Sequence, residues 1–549
     1  MAPGAAGTPD AATVRMTAQG EVIGLVTEDG AHSWRGLPFA APPVGDLRWR
    51  APEAPQGWQG ARVATNHGAH CAQISNRFTA GDDEPGALIG SEDCLYLDIY
   101  APPDALEQAG AGKPLAVMVW IHGGSNVWGW GSSYEGSKLA LNENVIVIPV
   151  QYRLGGLGFF SSPLLREVAQ RPEDRAANFA ILDLIASLKW VRENASAFGG
   201  DPDNITIFGE SAGGYNIGAL LGSPLAEGLF QRAILQSGGF DSTSIADAES
   251  ANSPLPNPSE AVIAKLGADS AEELRAIAPE TLLKVYGGEG GVDLPTIIQD
   301  GVTIPATPLR DAFASPETFN AVPIITGTNR DEMKFFHIAS PALTKKFLGL
   351  FLVSRDKDFY DAVAEYPSRI WRIRAVDGPA AAMAAGGHDQ VYAYRFDWDE
   401  GGRFFFTDMG HLFGAAHAME LPFVFNRFIL LGDADKILFT KKSAASREKL
   451  SRAMGQYWAN FARNGAPSGE GLPQWPVYSS AGGTLMRLDS DTDGGIGLLQ
   501  DVDTMAAAVA DLKTDPRLDD EQRCAVVAAI AYWIESLAEE IAADIGCAA

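Results

Sequence analysis

The sequence predicts an α/β fold with a mostly parallel central sheet flanked by helices. Apolar, β-branched segments alternate along the chain with segments that carry apolar residues at helical spacing. Such alternation is typical of parallel strands that are connected by helices. The strand segments are nearly continuous runs of Val, Ile and Leu, which indicates a sheet covered on both faces.

Six segments are predicted as buried strands because each is a short, bounded apolar run: 114–121, 145–150, 204–208, 232–236, 322–326 and 391–395. Segments 178–193 and 443–464 are predicted as amphipathic helices, since their apolar residues recur every three to four positions. Segments 250–320 and 335–390 interrupt the alternation, and we expect them to be helical insertions above the sheet.

The composition excludes several classes of function. The 549 residues include 42 Lys+Arg and 69 Asp+Glu, a net charge of −27, and 46% are hydrophobic. This apolar content excludes intrinsic disorder, and the acidic excess argues against binding to nucleic acid or to an anionic lipid surface. No segment has the roughly 18 uncharged apolar residues of a membrane span. No CxxC motif or Cys/His cluster suggests a structural metal.

The segment 201–214, DPDNITIFGESAGG, carries the clearest chemical signal. Its G-x-S-x-G motif is centred on Ser211, follows a predicted strand and precedes a helix-compatible segment. A sharp strand-to-helix turn of this kind exposes the serine hydroxyl at the N-terminus of a helix, where negative charge is stabilised. We therefore predict that Ser211 is a nucleophile, which requires a histidine base and a carboxylate to orient it.

An oxyanion-binding loop is predicted upstream of the nucleophile. The strand that ends at Ile121 runs into the tetrapeptide 122–125, HGGS, which is similar to the HGGG loop of esterases. Backbone N–H groups do the work in such a loop, so unhindered main chain matters more than any side chain.

These segments, with several others, resemble the type-B carboxylesterases, the carboxylesterase/lipase family related to the cholinesterases, which has the α/β-hydrolase fold. The resemblance covers roughly residues 14–490. Its blocks are 39–49 (FAAPPVGDLRW), 92–96 (EDCLY), 198–214 (FGGDPDNITIFGESAGG), 327–332 (GTNRDE), 416–425 (AHAMELPFVF) and 457–465 (YWANFARNG).

The resemblance implies a catalytic triad of Ser211, Glu332 and His417, with no metal or organic cofactor. The chain order Ser, Glu, His is that of the α/β-hydrolases. Asp331 competes with Glu332 for the acid role because the two are adjacent, and His411 competes with His417 for the base role because it lies six residues upstream.

The resemblance also implies an oxyanion hole formed by the N–H groups of Gly124, Ser125 and Ala212. Ser125 departs from the usual third glycine, and its side chain either favours small or polar acyl groups or faces away from the site. Glu210, next to the nucleophile, is expected to support the triad electrostatically. The segments 250–320 and 335–390 are then insertions over the active site.

The expected activity is hydrolysis of carboxylic esters of small or medium size through an acyl-enzyme. A specialised xenobiotic- or toxin-ester hydrolase, a lipase and an amidase or carbamate hydrolase share this chemistry and stay open. A non-catalytic adhesion protein of the same fold is the alternative from another class, and the three triad residues argue against it. The expected partner is a small-molecule ester.

The resemblance further implies a disulfide between Cys71 and Cys94. Phe78 is the only aromatic residue in the loop that this bond would close, so the sequence does not support a cholinesterase-type cation site. A disulfide suggests a secreted or periplasmic protein whose leader is not present in this sequence, with a cytoplasmic location as the alternative.

We expect a flexible tail at 1–13, a catalytic domain at 14–490 and a helical extension at 491–549 packed on that domain. Residues 521–546 are predicted as one helix with an apolar stripe of Val526, Ile530, Trp533, Ile534, Leu537, Ile541 and Ile545. On one helix Cys524 and Cys547 would be ~35 Å apart and could not pair unless it breaks. Cys547 could then bridge two chains, so the protein is expected to be a monomer or a homodimer.

Overall fold

The structure is a computed structural model that describes residues 7–76, 78–79, 85–253, 255, 257–286, 297–479, 483–531 and 535–547. The chain forms two compact units. The first consists of Met1–Ile324, Gly386–His388 and Ala459–Pro467, and the second of Ile325–Ala385, Asp389–Trp458 and Ser468–Ala549.

The first unit contains most of the long strands. Its strands are β1 (Arg15–Thr17), β2 (Gly20–Ile23), β3 (Leu25–Val26), β4 (His32–Pro38), β5 (Arg62–Val63), β6 (Gln73–Ile74), β7 (Leu88–Ile89), β8 (Tyr96–Ala101), β9 (Leu115–Ile121), β10 (Ile146–Val150), β11 (Gly200–Glu210), β12 (Arg232–Gln236), β13 (Thr243–Ser244) and β14 (Ile298–Gln299).

The helices of the first unit begin after β8 and lie singly or in groups between the later strands. They are α1 (Ala105–Gly110), α2 (Ser137–Glu143), α3 (Gly155–Gly158), α4 (Pro163–Glu167), α5 (Phe179–Asn194), α6 (Ala212–Gly222), α7 (Ile245–Glu249), α8 (Ser259–Leu266), α9 (Ala271–Ala276), α10 (Pro279–Tyr286) and α11 (Leu309–Ala312).

The sheet of the first unit has the strand order β12-β11-β9-β10-β8-β4-β3. Strands β12, β11, β9 and β10 are mutually parallel, whereas β8, β4 and β3 continue the sheet in antiparallel pairs. All seven residues of β9 and all five of β10 are buried, as expected for parallel strands covered on both faces. The α/β prediction is thus confirmed, and its parallel part is the centre of the sheet.

The register of this sheet aligns two strand ends. Gly209 of β11 lies opposite Ile121 of β9, so the chain leaves both strands at the same edge. In open α/β sheets this carboxyl edge is where functional loops gather. The two candidate segments, 122–125 and 209–213, therefore emerge side by side.

The second unit has a smaller sheet of order β22-β21-β18-β15. Its strands are β15 (Ile324–Asn329), β16 (Thr344–Phe347), β17 (Phe351–Ser354), β18 (Val391–Phe396), β19 (Arg403–Phe404), β20 (Thr407–Asp408), β21 (Leu485–Leu488) and β22 (Gly497–Leu499). Its helices are α12 (Lys334–His337), α13 (Lys357–Arg372), α14 (Gly378–Ala385), α15 (Met409–Leu412), α16 (Leu421–Val424), α17 (Asp435–Leu438), α18 (Ala444–Asn464, in this unit up to Trp458), α19 (Met505–Thr514), α20 (Asp520–Ala531) and α21 (Glu535–Ile545).

The purely helical prediction for segment 335–390 is wrong in one place. Strands β16 and β17 form an antiparallel hairpin in which Thr344 pairs with Ser354 and Phe347 with Phe351. The aromatic and β-branched residues of this stretch favour strands, and Gly349 lies in the tight turn between them.

The prediction of one continuous helix over 521–546 is also wrong. The segment forms two helices, α20 and α21, and Cys524 is disulfide-bonded to Cys547 with a Cα–Cα distance of 5.5 Å. Because Cys547 is paired within the chain, it is not available as a bridge to a second chain. Val526, Ile530 and Ile541 of the predicted stripe are buried in a cluster with α13, whereas Trp533 and Ile534 lie outside the described residues.

The N-terminal segment that we expected to be flexible up to residue 13 is ordered at its end. Thr13 is fully buried, and its carbonyl accepts a hydrogen bond from the indole of Trp34 at 2.6 Å. Among the described residues, no helix has both the length and the apolar character that crossing a bilayer requires.

Candidate active site

Ser211 occupies the turn between β11 and α6, as the motif predicted. Its backbone has φ 56° and ψ −125°, a conformation that non-glycine residues rarely adopt. The N–H of Ser211 donates to the carbonyl of Gln236 at 2.9 Å, which fixes the turn to the end of β12. The side chain is partly exposed, so the strained turn presents the hydroxyl at the sheet edge.

The glycines on either side of Ser211 are required by close packing. A Cβ on Gly213 would lie 2.0 Å from the carbonyl oxygen of Ile121, and one on Gly209 would lie 2.6 Å from the same atom. Any larger residue would push the turn away from the end of β9.

His122 holds the loop that follows β9. Its ring is fully buried, stacks on Tyr152 with centroids 4.4 Å apart, and its Nδ1 lies 2.8 Å from the carbonyl oxygen of Gly123. The Tyr152 hydroxyl donates to the carbonyl of His122 at 2.7 Å. Burial lowers the pKa of His122 to about 4, so the ring is neutral at physiological pH. These contacts give His122 a structural role.

The loop backbone after β9 reaches Ser211. A Cβ on Gly123 would lie 3.0 Å from Cβ of Ser211 and 2.9 Å from Oε2 of Glu210, which is itself buried. Gly124 has φ 104° and Ser125 has φ 57°, so the chain turns sharply after Gly123. Within the described ranges, the N–H groups of Gly124, Ser125 and Ala212 donate to no protein acceptor. The sheet edge therefore carries three backbone donors beside a partly exposed hydroxyl.

In the second unit, Glu332 and His417 form a buried pair. Oε2 of Glu332 lies 2.6 Å from Nδ1 of His417, and the backbone N–H of His417 donates to the carbonyl of Glu332 at 3.2 Å. Oε1 of the same carboxylate accepts the N–H of Asn329 at 2.7 Å. Glu332 is fully buried and His417 is 5% exposed, so the pair is held in a dry environment.

Asn329 and three aromatic rings position this pair, and sequence reasoning did not single them out. The Asn329 amide donates to the carbonyl of Ala416 at 2.7 Å and to Glu420 at 2.6 Å, which fixes the segment that carries His417. The rings around the imidazole are Trp371, Phe336 and Phe335, with centroids 4.9, 5.4 and 6.0 Å from that of His417. Asn329 lies inside the GTNRDE block, so the sequence offered a signal for its importance. Nothing in the sequence marked the three aromatic rings as neighbours of His417.

The two competing residues make other contacts. Asp331 pairs with Arg330 at 2.9 Å and with Lys334 at 3.5 Å, and it accepts the N–H of Ala415. Burial raises the pKa of Asp331, but Arg330 and Lys334 outweigh burial and hold it below its ordinary value.

His411, on α15, lies 3.4 Å from a carboxylate oxygen of Asp361 and 3.3 Å from the Ser354 hydroxyl. Burial lowers the pKa of His411 despite the neighbouring carboxylate of Asp361. Its ring is thus engaged by α13 and β17.

The predicted disulfide between Cys71 and Cys94 is present, with a Cα–Cα distance of 4.9 Å. Its loop is tied to the chain just after the HGGS segment by Gln73, whose amide donates to the carbonyl of Gly129 at 3.1 Å and accepts the Gly129 N–H at 2.9 Å. The described residues contain no group of three or more His, Cys, Asp or Glu side chains arranged to hold a metal ion.

A sequence model of the carboxylesterase family matches residues 11–372 and 354–506. The chain is 36% identical over 499 residues to the para-nitrobenzyl esterase of Bacillus subtilis (strain 168), covering 86% of this chain and 94% of that protein. It is 35% identical over 523 residues to human cocaine esterase, covering 86% and 87%.

Solved structures give the same result. A PNB esterase structure matches with a TM-score of 0.70 and 32% identity, over 90% of this chain and 98% of that one. A carboxylesterase of Geobacillus stearothermophilus matches with a TM-score of 0.68 and 32% identity, over 91% and 99%.

Proposed function

The chain belongs to the carboxylesterase family and is a carboxylic ester hydrolase, and on this premise we propose that it works as a serine esterase through Ser211, His417 and Glu332. The observation that carries the proposal is the 2.6 Å contact between Glu332 and Nδ1 of His417. A carboxylate accepts a hydrogen at Nδ1, which leaves Nε2 as the basic nitrogen of the ring. This is the tautomer that a serine nucleophile requires.

In the first step, the Ser211 hydroxyl attacks the ester carbonyl while Nε2 of His417 takes its proton. The tetrahedral intermediate collapses, His417 returns the proton to the alcohol, and the alcohol leaves an acyl-enzyme behind. Water, deprotonated by the same nitrogen, then attacks the acyl group and releases the acid. Glu332 stabilises the imidazolium that forms transiently in both steps.

The N–H groups of Gly124, Ser125 and Ala212 are proposed to stabilise the oxyanion of both intermediates. Support comes from their lack of a protein acceptor among the described residues and from the approach of the loop to Ser211. Donors that are already oriented cost no reorganisation when charge develops. Glu210, buried behind the nucleophile, is proposed to favour the positive charge on His417.

The proposal is tested by labelling with a fluorophosphonate probe. Wild type should be labelled at one site, and Ser211→Ala should not be labelled. Ser125→Ala is the matched control, because it removes a neighbouring hydroxyl but keeps the backbone donor, and it should be labelled like wild type. A folded wild-type protein that takes no label, or label retained in Ser211→Ala, would contradict the proposal.

The substrate class is proposed to be small and medium carboxylic esters. A series of p-nitrophenyl esters of increasing acyl length, with the matching p-nitroanilides, separates this from a lipase or an amidase. We expect kcat/KM to peak at short or medium chains, with the anilides slower. A peak at long, emulsified chains or a preference for anilides would favour the alternatives.

An oxidising compartment is the proposed location. All four cysteines are disulfide-bonded, and thiols in a reducing cytosol would not stay paired. Alkylation of the native protein in cell fractions, before any reduction, should find no free thiol. Free thiols at all four positions in freshly lysed cells would favour the cytoplasmic alternative.

A further inference from the structure

Two neighbouring hairpins of the second unit carry an exposed apolar patch. One is formed by β16 and β17 and turns at residues 348–350; the other is formed by β19 and β20 and turns at 405–406. Strand β17 contacts β20, so the two turns lie close together. The first hairpin follows α12, which comes just after Glu332 in the chain. The second hairpin precedes α15, which leads to His417.

The patch is unusually large. Its most exposed apolar members are Phe347 (41%), Leu348 (74%), Leu350 (74%), Phe404 (48%), Phe405 (71%) and Phe406 (56%). The rings contact one another across the hairpins: Phe347 lies 5.0 Å from Phe406, and Phe351 lies 5.5 Å from Phe405. Together the six side chains expose on the order of 700 Å², above the patches typical of monomers.

The backbone of both turns indicates that the bulky residues are not accidental. Leu348 has φ 53° and Phe405 has φ 54°, positions at which Asn or Gly is strongly preferred. Leu348 and Phe405 stay 74% and 71% exposed there and add conformational strain. A residue type that is unfavourable for its local backbone conformation, without a compensating contact inside the protein, is expected where a surface has a function.

A basic rim surrounds the patch. Lys345 and Lys346 are exposed on β16 and form no ion pair within the part of the chain that the structure describes. Arg403 is exposed at the base of the second hairpin, where it pairs with Asp408. Lys441 and Lys442 are exposed just after Thr440, whose side chain abuts Gly402. These cations stand out in a chain of net charge −27.

We propose that the two hairpins dock the protein on the surface of an anionic lipid bilayer. The apolar turns would enter the boundary between headgroups and acyl chains, and the rim lysines would contact lipid phosphates. The net charge led us to expect no attraction to anionic lipid, but the local charge at this patch has the opposite sign. A second copy of the chain fits less well, because a symmetric contact through this patch would bring the lysine rims together.

Vesicle flotation tests the inference without depending on ester hydrolysis. Wild type should float with vesicles of phosphatidylcholine containing a quarter phosphatidylglycerol, and binding should weaken strongly when salt rises from about 0.1 to 0.5 M. Vesicles of phosphatidylcholine alone should bind at least about tenfold less.

The decisive variant is Leu348→Asn, Leu350→Ser and Phe405→Asn combined. Asparagine tolerates positive φ, so the hairpins should keep their fold and their Tm while vesicle binding falls about tenfold or more. Lys345→Glu with Lys346→Glu should abolish the preference for anionic vesicles. Ile429→Ser with Leu498→Ser removes two exposed apolar residues elsewhere in the same unit and should bind like wild type.

Three outcomes would overturn the inference. The first is wild-type protein that floats with neither vesicle, and the second is a triple variant that floats as well as wild type. The third is a wild-type dimer in sedimentation that the triple variant dissociates, since the patch would then be an interface between copies of the chain.

Discussion

The proposed nucleophile region of the first unit and the proposed acid–base region of the second are built in different ways. Around Ser211 the geometry is set by the backbone: Gly213 leaves no room for a Cβ, and Gly124 and Ser211 have positive φ. Around His417 the geometry is fixed mainly by side chains, through the Glu332 carboxylate, the Asn329 amide and the aromatic rings, and the neighbouring Ala418 also has a positive φ of 65°.

This difference decides what a substitution does in each region. A backbone-defined site tolerates changes of side chain but not an added Cβ at a close approach. A site defined by side chains tolerates small backbone changes but fails when one contacting group is removed.

Removing the base should be the most damaging change. We expect His417→Ala to lower kcat/KM for p-nitrophenyl acetate by a factor of about 10⁴ or more, because a hydroxyl without a base is a poor nucleophile. His411→Gln should stay within about threefold of wild type, since its ring contacts Asp361 and Ser354. The reverse result would reassign the base and move the acid–base site to α15.

The choice between His417 and His411 shows where sequence reasoning stops. Spacing alone admits both histidines and the family resemblance favours His417, but only the fold reveals that His417 contacts the Glu332 carboxylate while His411 faces Asp361. By contrast, the turn at Ser211 and the loop at Gly124 were predictable, because positive φ and close approach leave a glycine signature in the sequence.

The secondary structure shows the same contrast between features that the sequence predicts and features that it does not. The strands with continuous apolar runs, such as β9 and β10, were predicted almost to the residue. The hairpin at 344–354 and the packing of α20 against α21 were not predicted. Their determinants are a three-residue turn and a disulfide, neither of which leaves an apolar periodicity.

The proposed oxyanion loop offers a backbone test. A Cβ at position 124 would lie 1.9 Å from the carbonyl oxygen of Trp128, so Gly124→Ala must displace the loop. We expect kcat to fall by about 10²–10³, with KM little changed, as when an oxyanion donor is lost. Ser125→Gly keeps the N–H and relieves a positive φ, and its kcat should stay close to wild type. Equal losses in both variants would mean that the Ser125 side chain contributes.

The two disulfides extend the comparison to stability. Each spans 23 residues, for which opening is expected to cost about 3 kcal/mol and to lower Tm by several degrees. Cys524→Ser with Cys547→Ser should leave kcat/KM unchanged, because that bond joins α20 to the chain end after α21. Cys71→Ser with Cys94→Ser should also lower kcat/KM, because Gln73 ties its loop to Gly129. If kcat/KM were the same in both double variants, the bond between Cys71 and Cys94 would have no effect on the active site.

Each unit also buries a carboxyl group whose pKa is raised to about 7. Burial is the main cause for both Glu143 of the first unit and Asp489 of the second. The neighbours differ: Arg463 opposes the shift at Glu143, whereas Asp397, Asp493 and Asp399 add to it at Asp489.

The pKa of Asp489 is higher in the folded protein than in the unfolded chain. Between about pH 4 and 7 its carboxyl group is therefore protonated in the folded protein and ionised in the unfolded chain. Stability is therefore lost as the pH rises through this window, and the loss is complete above pH 7. Asp489→Asn should raise Tm by a few degrees at pH 8, on the order of 1–2 kcal/mol, and change it little at pH 4. Glu143→Gln should gain less at pH 8, since it also deprives Arg463 of a nearby carboxylate. Equal gains in the two variants, measured by calorimetry at both pH values, would show that burial alone sets both shifts and that the acidic neighbours of Asp489 add nothing.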